Sequence, residues 1–202
     1  MGYTHYWYRQ KTIEEEKFKK IVDDFIKALP RLNLYIDLAD GLGDNEPLIN
    51  HQEVCFNGRE KCGHAHHELG ITWPSKDAGG IAVPYKENVK DGHWFAGATL
   101  KKRMCGGDCS HEIFHFGRNQ VLQVWDKPCE DEGGLFFAFC KTAFKPYDLA
   151  VITFLIIAKY HLADNIKVHS DGEDGHWFDG KMFCQITLGY GLEFKIEKSV
   201  VI

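Results

Sequence analysis

The chain has 202 residues, of which 24 are Lys or Arg and 29 are Asp or Glu, giving a formal net charge of -5. Apolar residues make up 44%, charged residues 26% and aromatics 13%, an ordinary globular composition with a heavy aromatic share. A chain of that length buries a full core as a single domain over 1–202. Its mild acidity excludes a sequence-independent binder of duplex DNA, which needs a net basic face.

Met1 to Trp7 holds no charged segment leading into an apolar run, so it does not read as a secretory signal. The alternation of Tyr3, His5 and Trp7 with Thr4, Tyr6 and Tyr8 predicts a strand over 2–9. Thr12 followed by Glu15 reads as a capping box. Phe18, Ile21, Val22, Phe25, Ile26 and Leu29 then form the apolar stripe of a helix that Pro30 is expected to stop. Leu34-Tyr35-Ile36 is expected as a short strand, 41–45 as a turn and 53–56 as a further strand. Residues 59–110, rich in Gly, His and Cys, read as an irregular insertion.

Strands are predicted next at Ile113 to Phe116, Val121 to Trp125 and Leu135 to Cys140. Pro146 suits the first turn of a helix, with Asp148 favourable at the positive end of its dipole. That helix, to about His161, is apolar nearly all round and is expected to be the central, buried one. Its run from Leu149 to Ala158 is about half of what a bilayer requires, so a soluble protein of the cytoplasm is expected, with no membrane partner. Ile166 to Val168 reads as a strand, Ser170 to Gly175 as a loop, and Met182 to Leu188 as a last helix closed by Gly189. This order implies an α+β fold. An antiparallel or mixed sheet carries a buried central helix on one face, with the insertion at about 59–110 added to it.

Two internal echoes stand out. Asp91-Gly92-His93-Trp94-Phe95-Ala96-Gly97 returns as Asp174-Gly175-His176-Trp177-Phe178-Asp179-Gly180, and Cys62-Gly63 leading to His67-Glu68 returns as Cys105-Gly106 leading to His111-Glu112. Two units are too few for a solenoid, which leaves chance and partial duplication both open.

Several separated words of the chain resemble those of a family of small phage and prophage proteins. They are Met1-Gly2-Tyr3-Thr4-His5-Tyr6-Trp7, Phe56-Asn57-Gly58, His111-Glu112-Ile113-Phe114, Cys140-Lys141-Thr142-Ala143-Phe144-Lys145-Pro146-Tyr147-Asp148 and Ser170-Asp171-Gly172. The resemblance extends to about residue 192 and implies no assigned activity. It places the chain in the cytoplasm of a bacterial host. It also implies a shared core to which the insertion adds a lid or a metal clip. Its polar and aromatic members (Tyr3, His5, Asn57, His111, Glu112, Lys145, Asp148 and Asp171) fall mostly at strand ends and loops, where pockets are built.

His111-Glu112-Ile113-Phe114-His115 matches the zinc-protease pattern, but that pattern needs a helix. On a strand the two histidines stand roughly 13 Å apart, too far to share one ion. A better metal set combines Cys62, His64, His66 and His67 with Cys105, Cys109 and His111, with Cys62, His64, His66, Cys105 and Cys109 foremost, from which a structural zinc could draw four ligands. The seven cysteines are otherwise read as reduced thiols, since a disulfide framework favours a shorter chain with an even count.

Lys145 to Asp148 opens the central helix, whose free N–H groups suit an anion, and Thr142 and Lys145 add a hydroxyl and a cation. Asp171, after Ser170, would take ribose hydroxyls or serve as a base, while Tyr3, His5 and Trp7 on one strand face would stack a ring. Three readings follow. The first is a pocket that binds a small, polar, nucleotide-like ligand, expected to be anionic. In that reading Tyr3, His5, Trp7, Asn57, His111, Thr142, Lys145, Asp148, Ser170 and Asp171 line the pocket, with sequestration of a host signal or counter-defence as the setting. The second is a hydrolase of a nucleotide or phosphodiester working through His111, Glu112 and Asp171, with or without metal. The third is a module that docks on a host protein through aromatic surface.

Overall fold

In a computed structural model of the chain, residues 2–62, 68–69, 93–95, 98–100, 103–105, 107–121, 127–129 and 132–202 are described. Along the chain run β1 (Thr4–Arg9), α1 (Glu15–Leu32), β2 (Leu38–Ala39), β3 (Leu48–Ile49) and β4 (Glu53–Gly58). Short strands β5 (Glu68–Leu69), β6 (His93–Phe95), β7 (Ala98–Leu100) and β8 (Arg103–Met104) follow. The chain continues with β9 (Phe114–Gly117), β10 (Phe136–Lys141), α2 (Asp148–Leu162), β11 (Ile166–Ser170) and α3 (Phe178–Leu188), and ends with β12 (Ile196–Glu197) and β13 (Val200–Val201).

The fold is α+β, and among the described residues every strand pair is antiparallel. One sheet has the order β10-β1-β11-β13-β12; in a second, β4 pairs with β2, β3 and β9; β5-β8 and β6-β7 form two small ribbons. In β1 the even positions are half-buried while His5, Trp7 and Arg9 are buried, as the pleat requires when one face is covered. The covering layer is α2, buried on every side from Asp148 through Ala158 and packed against α1, α3 and β11. Phe154 sits at its middle, its ring 5.0–5.2 Å from those of Phe25, Phe114 and Phe116. Among the described residues no helix is long and apolar enough to cross a membrane.

Several local expectations need correction. Helix α1 begins at Glu15 without any side-chain cap, because Thr12 bridges to Asn119 instead. Pro30 lies inside its last turn rather than beyond it, and the helix runs on to Leu32. The N–H that proline lacks would have served the carbonyl of Ile26, a residue 44% exposed, so the lost bond falls on the solvent side of the helix. Leu34 to Ile36 forms the turn after that helix, and the strand starts only at Leu38. Of the strand expected at 121–125, Val121 is in no element and the rest lies outside the described residues. Of the two Asp-Gly-His-Trp-Phe words, the described part of the first, His93–Phe95, is β6, while the second is a 3-10 turn (Asp174–Trp177) leading into α3. Their shared letters are not a shared fold unit.

Candidate functional site

The start of α2 is the polar centre of the molecule. A turn with positive φ at Ala143 (48°) and Phe144 (58°), closed by the Lys145 N–H on the Thr142 carbonyl at 3.0 Å, delivers the chain from β10 into the helix. Two consecutive non-glycine residues in that region cost on the order of 1–3 kcal/mol each, and such strain clusters at working sites. Its result is to aim the side chains of Thr142 and Asp148 at β1. Asp148 Oδ1 meets His5 Nε2 at 2.7 Å and accepts from the Thr142 hydroxyl at 2.6 Å; its Oδ2 accepts from Arg103 Nε at 3.0 Å. Arg103, from β8, also donates to both oxygens of Asp179 in the first turn of α3. His5, Asp148 and Arg103 are all buried, and Asp179 nearly so.

Rings wall this cluster. Tyr3 meets His5, Phe144 and His176 edge-on at 5.0, 4.6 and 5.7 Å, and His5 meets Trp177 at 5.1 Å. The Arg103 guanidinium lies 5.2 Å from the centre of the Phe144 ring. Burial by itself raises the Asp148 carboxyl, but Arg103, then His5 and Thr142, outweigh it and hold it below the usual carboxylate range. Burial likewise works against the Arg103 charge, and the Asp179 and Asp148 carboxylates reverse it and push the guanidinium up. The Tyr3 phenol is pushed up, by burial first and by the Asp148 charge second. His5 Nδ1 is buried and makes no hydrogen bond.

Of the residues singled out from sequence, Tyr3, His5, Thr142 and Asp148 come together here. Ser170 stands beside them, its hydroxyl accepting from Trp177 Nε1 at 3.2 Å and from the Gly172 N–H at 2.9 Å. Trp7 is on the same face of β1 but packs into the apolar core against Phe114 and Phe116. Asn57 works as a pin: its amide accepts from the His111 and Gly58 N–H groups and donates to the His111 and Gly41 carbonyls. Lys145 turns away from the helix start, donating at 2.7 Å to the carbonyls of both Cys105 and Asp108. Asp171 is exposed and accepts from the Thr4 N–H at 3.1 Å.

Of the catalytic set drawn from sequence, Glu112 and Asp171 are held on the N–H groups of two register partners, Lys141 and Thr4. Glu112 accepts from the Lys141 N–H at 2.9 Å, the His111 imidazole is on an exposed residue, and no hydrogen bond joins either of them to Asp171. His115 lies on β9, paired with Glu53 at 2.9 Å, so the zinc-protease pattern falls on a strand and its approach.

Cys62, Cys105 and Cys109 bring three sulfur atoms within 4.8 Å of one another, while His64, His66 and His67 lie outside the described residues. The Cys109 thiol is pushed well up, by burial first and by Cys62 and Cys105 next. Soft ligands at this separation are suited to a metal ion.

Aromatic surface lies on the opposite face of the same sheet. Tyr6 and Tyr8 of β1 face Phe137 and Phe139 of β10, and Tyr6 stacks on His169 of β11 at 5.5 Å. Phe137 and Phe139 are about half exposed. Open grooves are found away from the polar centre. One of 550 Å³ lies between the end of α1 and β2–β3, lined by Ile26, Leu29, Tyr35, Leu38 and Pro47. Another of 320 Å³ runs along β9 and β10, with Arg9, His115, Gln120 and Phe139 in its wall.

Comparison with family models, with curated proteins and with solved structures finds no match. The residues that sequence reasoning missed are Arg103, Phe144, His176 and Asp179. Asp179 had a signal, since it is where the second Asp-Gly-His-Trp-Phe word departs from the first, which has Ala96. Arg103 had none, because Lys101-Lys102-Arg103 reads as a solvated charge run.

Proposed function

We propose that the protein is a binding protein for a small, ring-bearing polar ligand of nucleoside type, held at the start of α2. The observation that carries this reading is the buried convergence of two carboxylates, a histidine and an arginine within aromatic walls. A protein gains little stability from burying such charges, because desolvation offsets most of their attraction. Their retention in one spot, beside strained backbone, supports the reading of a site.

The chemistry narrows the ligand. Asp148 and Asp179 are acceptors, suited to ribose hydroxyls or an amino-bearing ring edge. Tyr3, Phe144 and His176 offer ring edges and faces, and His5 Nδ1 is a spare polar atom. Arg103 is the cation available to a phosphate. It is carried by a two-stranded ribbon rather than by the main sheet. Lys145, engaged by two carbonyls, contributes to position rather than to binding. The resemblance to phage proteins supplies the setting, sequestration of a host signal in the bacterial cytoplasm, and stands apart from the geometry.

The test is to incubate the full chain with a panel of nucleosides and nucleotides, remove excess, release the bound fraction by heat and weigh it. Intact ligand is expected, retained by the native chain and by His111→Ala, and lost or weakened by about tenfold or more in Asp179→Asn, as for a severed hydrogen bond to a charged group. A ligand of changed mass would move the reading to hydrolysis, and retention of nothing from the panel would overturn it.

A further inference from the structure

The sulfur cluster is built by the backbone around it. Cys62 and the Cys105–Cys109 loop come from separate segments, and the Cys109 N–H joins them by donating to the Arg59 carbonyl at 3.0 Å. Gly58 makes that approach possible: a Cβ there would stand 2.0 Å from the Cys109 carbonyl oxygen. Inside the loop Gly107, at φ +89°, turns its N–H toward Cys105 Sγ at 3.5 Å. Asp108 Oδ1 accepts from the Ser110 N–H and hydroxyl at 2.7 and 2.6 Å, which closes the loop. That contact fixes the direction of the Cys105 sulfur within the loop. The Lys145 ammonium, held on the carbonyls of Cys105 and Asp108, places a positive charge against the cluster from behind.

We propose that Cys62, Cys105 and Cys109 bind one zinc ion, and that this ion seats Arg103 between Asp148 and Asp179. On binding, each thiol gives its proton to solvent and its sulfur lone pair to the metal. Three thiolates on Zn²⁺ carry one net negative charge, which the Lys145 ammonium balances. The fourth tetrahedral position falls to a water molecule or an imidazole. An all-sulfur set of protein ligands selects zinc over calcium or magnesium, which take oxygen. Arg103 is two residues before Cys105, so fixing that sulfur fixes the chain that carries the guanidinium into the buried acid pair. The metal site stands on its own geometry, whether or not the cluster beneath it holds a ligand.

Metal analysis of the full chain purified with zinc present is expected to give one zinc per chain, lost in Cys109→Ser and in Cys105→Ser. Cobalt added to the metal-free chain provides a second measurement that needs no variant: sulfur-to-metal charge-transfer absorption with tetrahedral visible bands is expected. Seating is read by limited trypsin digestion, since a buried arginine is cut only after local opening. Chelation is expected to speed cleavage after Arg103 by about tenfold or more, with the fragment identified by mass. Zinc near zero, or zinc retained by both variants, overturns the site. Zinc present but cleavage after Arg103 unchanged by chelation overturns the seating.

Discussion

Two histidine–carboxylate pairs of nearly equal length differ sharply in burial. His5 and Asp148 meet at 2.7 Å with both side chains 0% exposed, whereas His115 and Glu53 meet at 2.9 Å with 41% and 43% exposed. Water screens the second pair and replaces either partner when the other is removed. Around the first pair there is only protein, so every remaining charge must find its partner among Thr142, Arg103 and Asp179. Distance alone does not rank an ion pair; its surroundings do.

Removing the carboxylate of the buried pair should have the largest effect. Asp148→Ala leaves His5 and Arg103 without their shared partner and is expected to cost about 3–5 kcal/mol in urea unfolding. The native protein should also show this group in its pH dependence. The Asp148 carboxyl is held below the ordinary range near 4, so between its folded value and that range the unfolded chain binds more protons. Stability therefore rises with pH across that interval, and the contribution is lost as pH falls through the folded value. Asp148→Asn should flatten that part of the acid limb, and a limb of unchanged slope would refute the assignment.

A pair of intermediate burial allows the comparison to be sharpened. Asp24 of α1, with its side chain 15% exposed, meets His161 of α2 at 2.7 Å and accepts from the Tyr190 hydroxyl at 2.9 Å. Asp24→Asn is expected to cost about 1–3 kcal/mol, between the two extremes, measured by the same unfolding curves. The smallest effect belongs to Glu53→Gln, expected below about 1 kcal/mol and shrinking with added salt. An order other than Asp148, Asp24, Glu53 would show that burial is not what separates these pairs.

Much of this arrangement was legible in the sequence where local pattern and tertiary demand agree. The all-apolar α2 announces a central helix, the alternation in β1 announces its two faces, and Gly189 closes α3 as expected. His5, Thr142 and Asp148 were drawn out as polar residues in otherwise structured words. The other half of the cluster was hidden because a charge in a sequence has no direction. Arg103 and Asp179 are far from each other along the chain and meet only once β8 lies over α3. Thr12 misled for a related reason: a capping residue and a bridging residue share a side chain, and only the distant Asn119 decides which it becomes.

The position of β1 has a consequence for synthesis. Its hydrogen-bonding neighbours are β10 and β11, so Thr4 is paired with Lys141 and His5 with Ser170. Both neighbours lie far downstream of β1 along the chain, so the strand precedes the partners that cover its two edges. Non-local pairing of that kind slows folding and leaves an unpaired strand exposed in the interval. Polar and charged side chains disfavour edge-to-edge pairing of an uncovered strand, and on the inward face of β1 these are His5 and Arg9. The same two side chains end up buried in the finished fold.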